Sequence, residues 1–411
     1  MAGVSSANAT TLYWEGGAGT WNTSGTNTVW SSSSGNPADS AWPSSGATDA
    51  VIHTSAATDI VALGAALTNV DSVLIEQGIL NLQGNSLRSD ASTYATITVD
   101  GGQLREAGGN RNINNPIVIG ANGATIFNSG GSGNVNVAGI ISGTGDLTLN
   151  GTNSILLRSA NAYTGTTYIK HFAEIAGGGS FGTGDIVIDM ATTATTLYMS
   201  PAYHYTMAND INVIRGTFQY NGTHAQRPDI QLTLTGSLNV SSEGAVQLRT
   251  GGVFRISSGA IHGVIGGNAA NVVNLVKIGG GVLTLTATNT YQSGTTIEGG
   301  LINFNKMENF GTGSGNVVLN GGGLQWAAGT TTDVSAKLNA TLGAAGGTFD
   351  TNGNNVAIST ALTGSGGVTK TGLGTLTLSN DTDYAGTTVV SGGVLAFSGS
   401  GKLSGTSAVQ V

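Results

Sequence analysis

Three stretches of this chain lie over one another, and that self-similarity restricts the fold more than any other feature. Residues 143–167, GTGDLTLNGTNSILLRSANAYTGTT, align without a gap on residues 364–388, GSGGVTKTGLGTLTLSNDTDYAGTT, at an offset of 221. Gly143, Gly145, Gly151, Leu157, Tyr163, Gly165, Thr166 and Thr167 fall on Gly364, Gly366, Gly372, Leu378, Tyr384, Gly386, Thr387 and Thr388. A third copy, residues 276–296, sits at an offset of 93 from the last: Lys277 matches Lys370 and Tyr291 matches Tyr384, with one residue inserted before Gly294. A weaker motif alternates with the first, as NPIVIGANGATIFNSGG from Asn115, NDINVIRGTFQYNG from Asn209 and NATLGAAGGTFDTNG from Asn339. Recurrence of this kind points to units that stack on their neighbours to bury an apolar face none of them buries alone.

The local pattern names the unit. TITV at Thr96–Val99, DLTL at 146–149, DIVI at 185–188, QLTL at 231–234 and NVVL at 316–319 alternate apolar with polar residues, the mark of half-buried strands. Helices are disfavoured, because 67 glycines in 411 residues interrupt almost every window of helical length. So much glycine does not mean disorder, since 39% of the chain is hydrophobic and only 9% is charged. A β-sandwich lacks this long-range self-similarity. The pattern therefore predicts an all-β fold, a right-handed parallel β-helix, or β-solenoid, with glycine at tight corners or where turns lie close. At about 20–25 residues per turn and ~4.8 Å between strands, about 17 turns would make a rod of roughly 80 Å. In Thr375–Leu378 the leucines should point inward and the threonines outward. Residues 1–50 are expected to form an N-terminal cap. Residues 51–411 are expected to form the solenoid, with repeat units near 143–188, 276–319 and 364–411.

Composition removes several functions. A net charge of −8, with no run of Lys or Arg longer than a pair, lacks the basic footprint of nucleic-acid or acidic-lipid binding. No stretch approaches the ~18 apolar residues of a membrane-spanning helix, so no membrane insertion by this segment is expected. With no cysteine there is no disulfide framework, zinc ribbon or thiol nucleophile. Cysteine-free chains also suit export, because a premature disulfide blocks passage through a narrow pore. Residues 1–14 carry neither a basic n-region nor an apolar h-region, and the chain stops at SAVQV in mid-strand, so it is read as a segment whose signal and anchor lie elsewhere.

Catalysis must be looked for residue by residue. The closest carboxylate pairs, Asp381 with Asp383 and Asp185 with Asp189, sit in or beside turns, and the matching positions of the other copies hold Ala160 and Thr288, and Ala162 and Thr290. The histidines, His53, His171, His204, His224 and His262, share no metal-ligand spacing, and Asn replaces the carboxylate of a calcium nonapeptide at residues 130–136. No catalytic residue, metal or cofactor is expected. Two aromatic groups stand out. Trp14, Trp21, Trp30 and Trp42 read as the hydrophobic cap of the first turn. Tyr198, Tyr203, His204, Tyr205, Tyr220 and His224 lie where the repeat is most disturbed and are the candidate ligand contacts. Outward Thr-x-Thr pairs such as Thr375 with Thr377 are too intermittent for an ice-binding array.

The repeat core, K-x-G-x-G-T-L-T-L-S-x-x-x-x-Y-x-G-T-T-V at 370–389 followed by GGVLAF at 392–397, resembles the autotransporter-associated β-strand repeat of bacterial surface passengers. SFGTGDIVI at 180–188 and FGTGSGNVV at 310–318 resemble its closing strand. The opening YWEGGAGTWNTSGTNTVW at 13–30, with Ala41, Trp42 and TDAVI at 48–52, is similar to the start of giant repeat proteins of this type. The resemblance implies a right-handed β-helix at or beyond the bacterial surface, working as a non-enzymatic structural or adhesive rod. Its partners would be glycans or proteins of host or neighbouring cells, or a second copy stacked end to end. Tyr163, Gly165, Tyr291, Gly294, Tyr384 and Gly386 would be structural repeat positions. The alternatives are a β-helix that binds or cleaves glycans with the 198–224 region, and a self-assembling filament subunit.

Overall fold

A computed structural model describes residues 10–14, 19–21, 48–54, 56–63, 67, 70–88, 92–106, 110–130, 133–175, 179–190, 196–199, 205–221, 231–249, 253–267, 274–339, 341–403 and 408–411. The chain divides into two compact units, residues 1–191 with 195–199, and residues 192–194 with 200–411. Each is a parallel β-solenoid.

In the first unit one parallel sheet runs through Thr10–Trp14, Thr48–His53, Val70–Gln77, Thr96–Val99, Ile117–Ile119 and Ile141–Gly143. A second is built from Gly19–Trp21, Ile60–Leu63, Ile79–Asn81, Gln103–Glu106, Ala124–Asn128, Leu147–Gly151, Thr167–Ile169 and Ile186–Asp189. A third joins Arg111–Ile113, Val135–Val137, Ile155–Leu157, Ala173–Ile175 and Thr196–Met199. Successive turns carry like residues on like positions: Ile97 pairs with Ile117 and Ile117 with Ile141, twenty and twenty-four residues on. Their side chains are fully buried. Solenoid pairing begins within the first fifty residues, where Trp14 lies beside Ile52.

The second unit repeats the scheme. Leu232, Phe254, Leu275, Thr295 and Val317 pair in order, each twenty to twenty-two residues after the last. The strands Val282–Leu285, Leu301–Phe304, Gly323–Trp326, Gly347–Asp350, Val368–Thr371, Thr388–Val390 and Val409–Gln410 form a continuous parallel ladder. A further short sheet holds Val356–Ile358, Thr375–Leu378 and Val394–Phe397. The core is a column of apolar side chains along each unit. One stretch of it is aromatic: the ring centroids of Phe304 and Trp326 are 5.2 Å apart, and those of Phe304 and Phe310 are 5.1 Å apart. Such tilted pairs add to the stability that burial alone provides.

The turn length of about 20–25 residues expected from the repeats agrees with most of these registers, whereas the first turn is longer, with Ile52 thirty-eight residues after its partner Trp14. The alternation also holds, since Leu376 and Leu378 are fully buried while Thr375 and Thr377 remain half-exposed. Among the described residues the single helical element is one 3-10 turn, Met307–Phe310.

Candidate functional site

The repeated residues face inward or against the next turn. Tyr163, Tyr291 and Tyr384 are buried, and each ring hydroxyl shares a hydrogen bond with the threonine four residues on, at 2.6 Å to Thr167, 2.7 Å to Thr295 and 2.6 Å to Thr388. Burial pushes all three phenols above their ordinary range, with the threonine bond pulling the other way. At the corner two residues before each tyrosine, a side chain donates to a carbonyl of the following turn: Asn161 to Ser180 at 2.6 Å, Asn289 to Asn309 at 2.6 Å and Thr382 to Lys402 at 3.1 Å. Gly165, Gly294 and Gly386 sit against neighbouring backbone. A Cβ on Gly165 would overlap the Gly145 carbonyl, and one on Gly386 would overlap the backbone of Gly366 and Gly367. Gly372 is needed for a different reason, a φ of +69° in the corner after Lys370.

Two lysines complete the set. Lys277 and Lys370 occupy inward positions and are fully buried. The Lys277 ammonium donates to the carbonyls of Ile278 at 2.6 Å, Gly279 at 2.9 Å and Gly299 at 3.0 Å. The Lys370 ammonium donates to those of Thr371 at 2.7 Å, Gly372 at 2.8 Å and Gly392 at 2.9 Å. Three donors meet three acceptors in both cages, and the third acceptor always belongs to the following turn. Burial lowers the Lys277 pKa from 10.5 to about 8. It lowers that of Lys370 too, where the Asp350 carboxylate opposes the shift. In the 143–167 copy the matching residue is Leu149, also buried. Sequence reading aligned the two lysines without recognising the cage. The signal was present, because in V-T-K-T the lysine falls on the same alternation as the inward valine.

The remaining candidates are scattered. Trp14 and Trp21 are buried in the core of the first unit, beside Ile52 and Leu63 in the ladders. Trp30 and Trp42, the other half of the expected cap, lie outside the described residues. Tyr198 is half-buried on its strand next to Glu174. Tyr205 is buried, in a strand where it and Met207 flank an exposed Thr206. Tyr203, His204 and His224 lie outside the described residues, as does the side chain of Tyr220. Asp381 is ion-paired with Lys402 at 3.3 Å and Asp189 with Lys170 at 3.1 Å. Among the described residues no three His, Asp or Glu side chains converge as metal ligands.

The outward face of the second unit is more coherent. Asn212, Asn239, Ala260, Thr284, Asn303 and Gln325 follow one another along the ladder, one per turn, and none is ionisable. The Asn239 side-chain N–H donates to Asn212 Oδ1 at 3.0 Å, and Asn303 donates to Gln325 Oε1 at 2.8 Å. The row ends at Asp350, which accepts from Gln325 at 2.8 Å. The small Ala260 leaves a dent in the row. There a shallow groove of about 280 Å³ opens, bounded by Asn212, Ile214, Asn239, Ser241 and His262.

Comparison with known proteins fits this division between a repeated interior and a variable exterior. The model of the passenger-associated-transport-repeat matches residues 275–302 and 368–397, the two segments that carry the lysine cages. An adhesin of Brucella suis biovar 1 (strain 1330), the BmaC autotransporter, is 29% identical over 256 residues, or 54% of this chain. The chain spans about 7% of that relative's length. No solved structure matches. The chain carries two matches to the passenger-associated-transport-repeat on a parallel β-solenoid, and in this it is similar to autotransporter passengers.

Proposed function

We propose that the chain is a non-enzymatic segment of an exported bacterial surface passenger, extending as a rod from the cell and making adhesive contacts through its outward faces. The observation that carries this reading is that the recurring polar residues, Tyr163, Tyr291, Tyr384, Lys277 and Lys370, are buried and bonded within the stack. A repeat whose specific residues all serve stacking supports extension, and leaves the exterior free to meet partners. The adhesin named among its relatives supports the same role, and the Lys402 and Lys170 ion pairs of Asp381 and Asp189 favour a structural use of those carboxylates.

The test is to coat inert beads with the purified chain and count their attachment to mammalian and bacterial cell layers, while assaying polysaccharides for release of reducing ends. Attachment above that of albumin-coated beads, without release, is the expected result. Steady release of reducing ends that Asp381→Asn or Asp189→Asn removes would overturn the non-enzymatic reading.

A further inference from the structure

The uncharged row on the second unit has the makings of a recognition surface. Six consecutive turns, from Asn212 to Gln325, present four amides, the Thr284 hydroxyl and the Ala260 methyl and no ionised group, over about 24 Å at ~4.8 Å per turn. In a chain of net charge −8 such neutrality is a local property of this face. Asp210, Arg215 and Glu243 flank the groove in sequence, yet none lines it. Ile214 is 50% exposed at its rim. The His262 imidazole, exposed beside it, bonds Thr286 Oγ1 at 2.9 Å.

We propose that this row is a binding strip for a neutral glycan, with the Ala260 groove seating one sugar ring. The proposal rests on the adhesive reading above and names its ligand class. A pyranose has an apolar C–H face and a rim of hydroxyls that both donate and accept. The Ala260 methyl and the exposed Ile214 side chain suit the face, and the Asn212 and Asn239 amides, Ser241 hydroxyl and His262 imidazole suit the rim. An anionic sugar would meet no lysine or arginine in the lining, and desolvating its charge there would be costly. A peptide is less suited, because strand addition needs a free edge and the backbone of Asn239, Ala260 and Thr284 is already paired on both sides. One shallow ring site binds weakly. Many copies displayed on one surface would convert weak sites into firm attachment.

The test uses the full chain against immobilised cellohexaose, maltohexaose, xylohexaose and mannohexaose, with polygalacturonate and heparin as charged probes. At least one neutral hexasaccharide should be retained, and Ala260→Glu should weaken that binding at least tenfold. Ala260→Leu, which fills the groove without adding charge, and Asn212→Ala should each weaken it severalfold; melting curves matching wild type exclude loss of fold in any of the three. Preference for the charged probes, no retention of any neutral probe, or unchanged binding by folded Ala260→Glu and Ala260→Leu overturns the strip. Coated beads separate the two readings. If wild-type beads attach to cells but neither periodate treatment of the target nor Ala260→Glu reduces attachment, the strip fails and adhesion stands. If beads attach to nothing, adhesion fails, and the hexasaccharide arm alone decides the strip.

Discussion

Replacing Lys277 with methionine keeps a long unbranched side chain inside the stack and removes the charge with its three donors. The carbonyls of Ile278, Gly279 and Gly299 then lose their partner in a dry interior. At about 1–3 kcal/mol each, the loss is roughly 6 kcal/mol at mid-range. Against it stands the relief of the buried ammonium, whose shift from 10.5 to about 8 corresponds to about 3 kcal/mol. The expected net cost of Lys277→Met is therefore about 3 kcal/mol at neutral pH. In a stacked fold such a cost is felt locally, so the assay is hydrogen exchange of amides 274–302, with opening expected about a hundredfold more frequent in the variant. The pH dependence follows from the direction of the shift. Between about pH 8 and 10.5 the unfolded chain keeps a proton that the folded chain has released, so stability from this lysine rises with pH in that window. Methionine lacks that rise, and the gap between wild type and variant should widen by up to about 3 kcal/mol from pH 8 to 10.5. Equal protection in the two proteins at pH 7 would refute the carbonyl term. A gap that narrows with pH would mean that the three hydrogen bonds outweigh desolvation and hold the proton on.

Tyr291→Phe removes the bond to Thr295 and should cost about 1–2 kcal/mol in urea unfolding of the surrounding turns; combined with Thr295→Val the loss should be less than additive, because one interaction is removed twice. Gly165→Ala drives a methyl into the Gly145 carbonyl and should destabilise by about 1–3 kcal/mol or more, whereas Gly280→Ala, with open space around it, should change the melting temperature little or raise it. Lys370→Met should behave like Lys277→Met in direction, but with a smaller alkaline widening, since Asp350 holds part of the charge in place.

The architecture was legible because it rests on periodicity. A strand such as Thr375–Leu378 declares its inward face through alternation, and aligned copies declare the turn length, so the inward placement of Leu376 and Leu378 is legible in the sequence. Roles that depend on a neighbouring turn were harder to read. Lys277 looks like a surface cation until the glycine corner of the following turn supplies its third carbonyl, some twenty residues away. Proximity in sequence groups Tyr205 with other aromatics, although its alternation with Met207 around Thr206 marks a buried strand position. The uncharged row has no signature in the linear sequence. Asn212, Asn239, Ala260, Thr284, Asn303 and Gln325 are unremarkable one at a time, and only the ladder register lines them up.

Five of the cross-turn bonds at the repeated corners and cages point the same way. Asn161 reaches Ser180, Lys277 reaches Gly299, Asn289 reaches Asn309, Lys370 reaches Gly392 and Thr382 reaches Lys402, so in every case the donor waits for residues that come later in the chain. Such a turn is chemically finished only when its successor has been laid down. Removing the turn after one of these donors strands an amide, a hydroxyl or an ammonium, while removing the turn before it leaves those bonds whole. At these corners and cages the stack is polar in the sense that a filament is polar, although other side chains of the same copies, such as Ser159 and Asn380, donate back to Ala138 and Ser359 of the turn before.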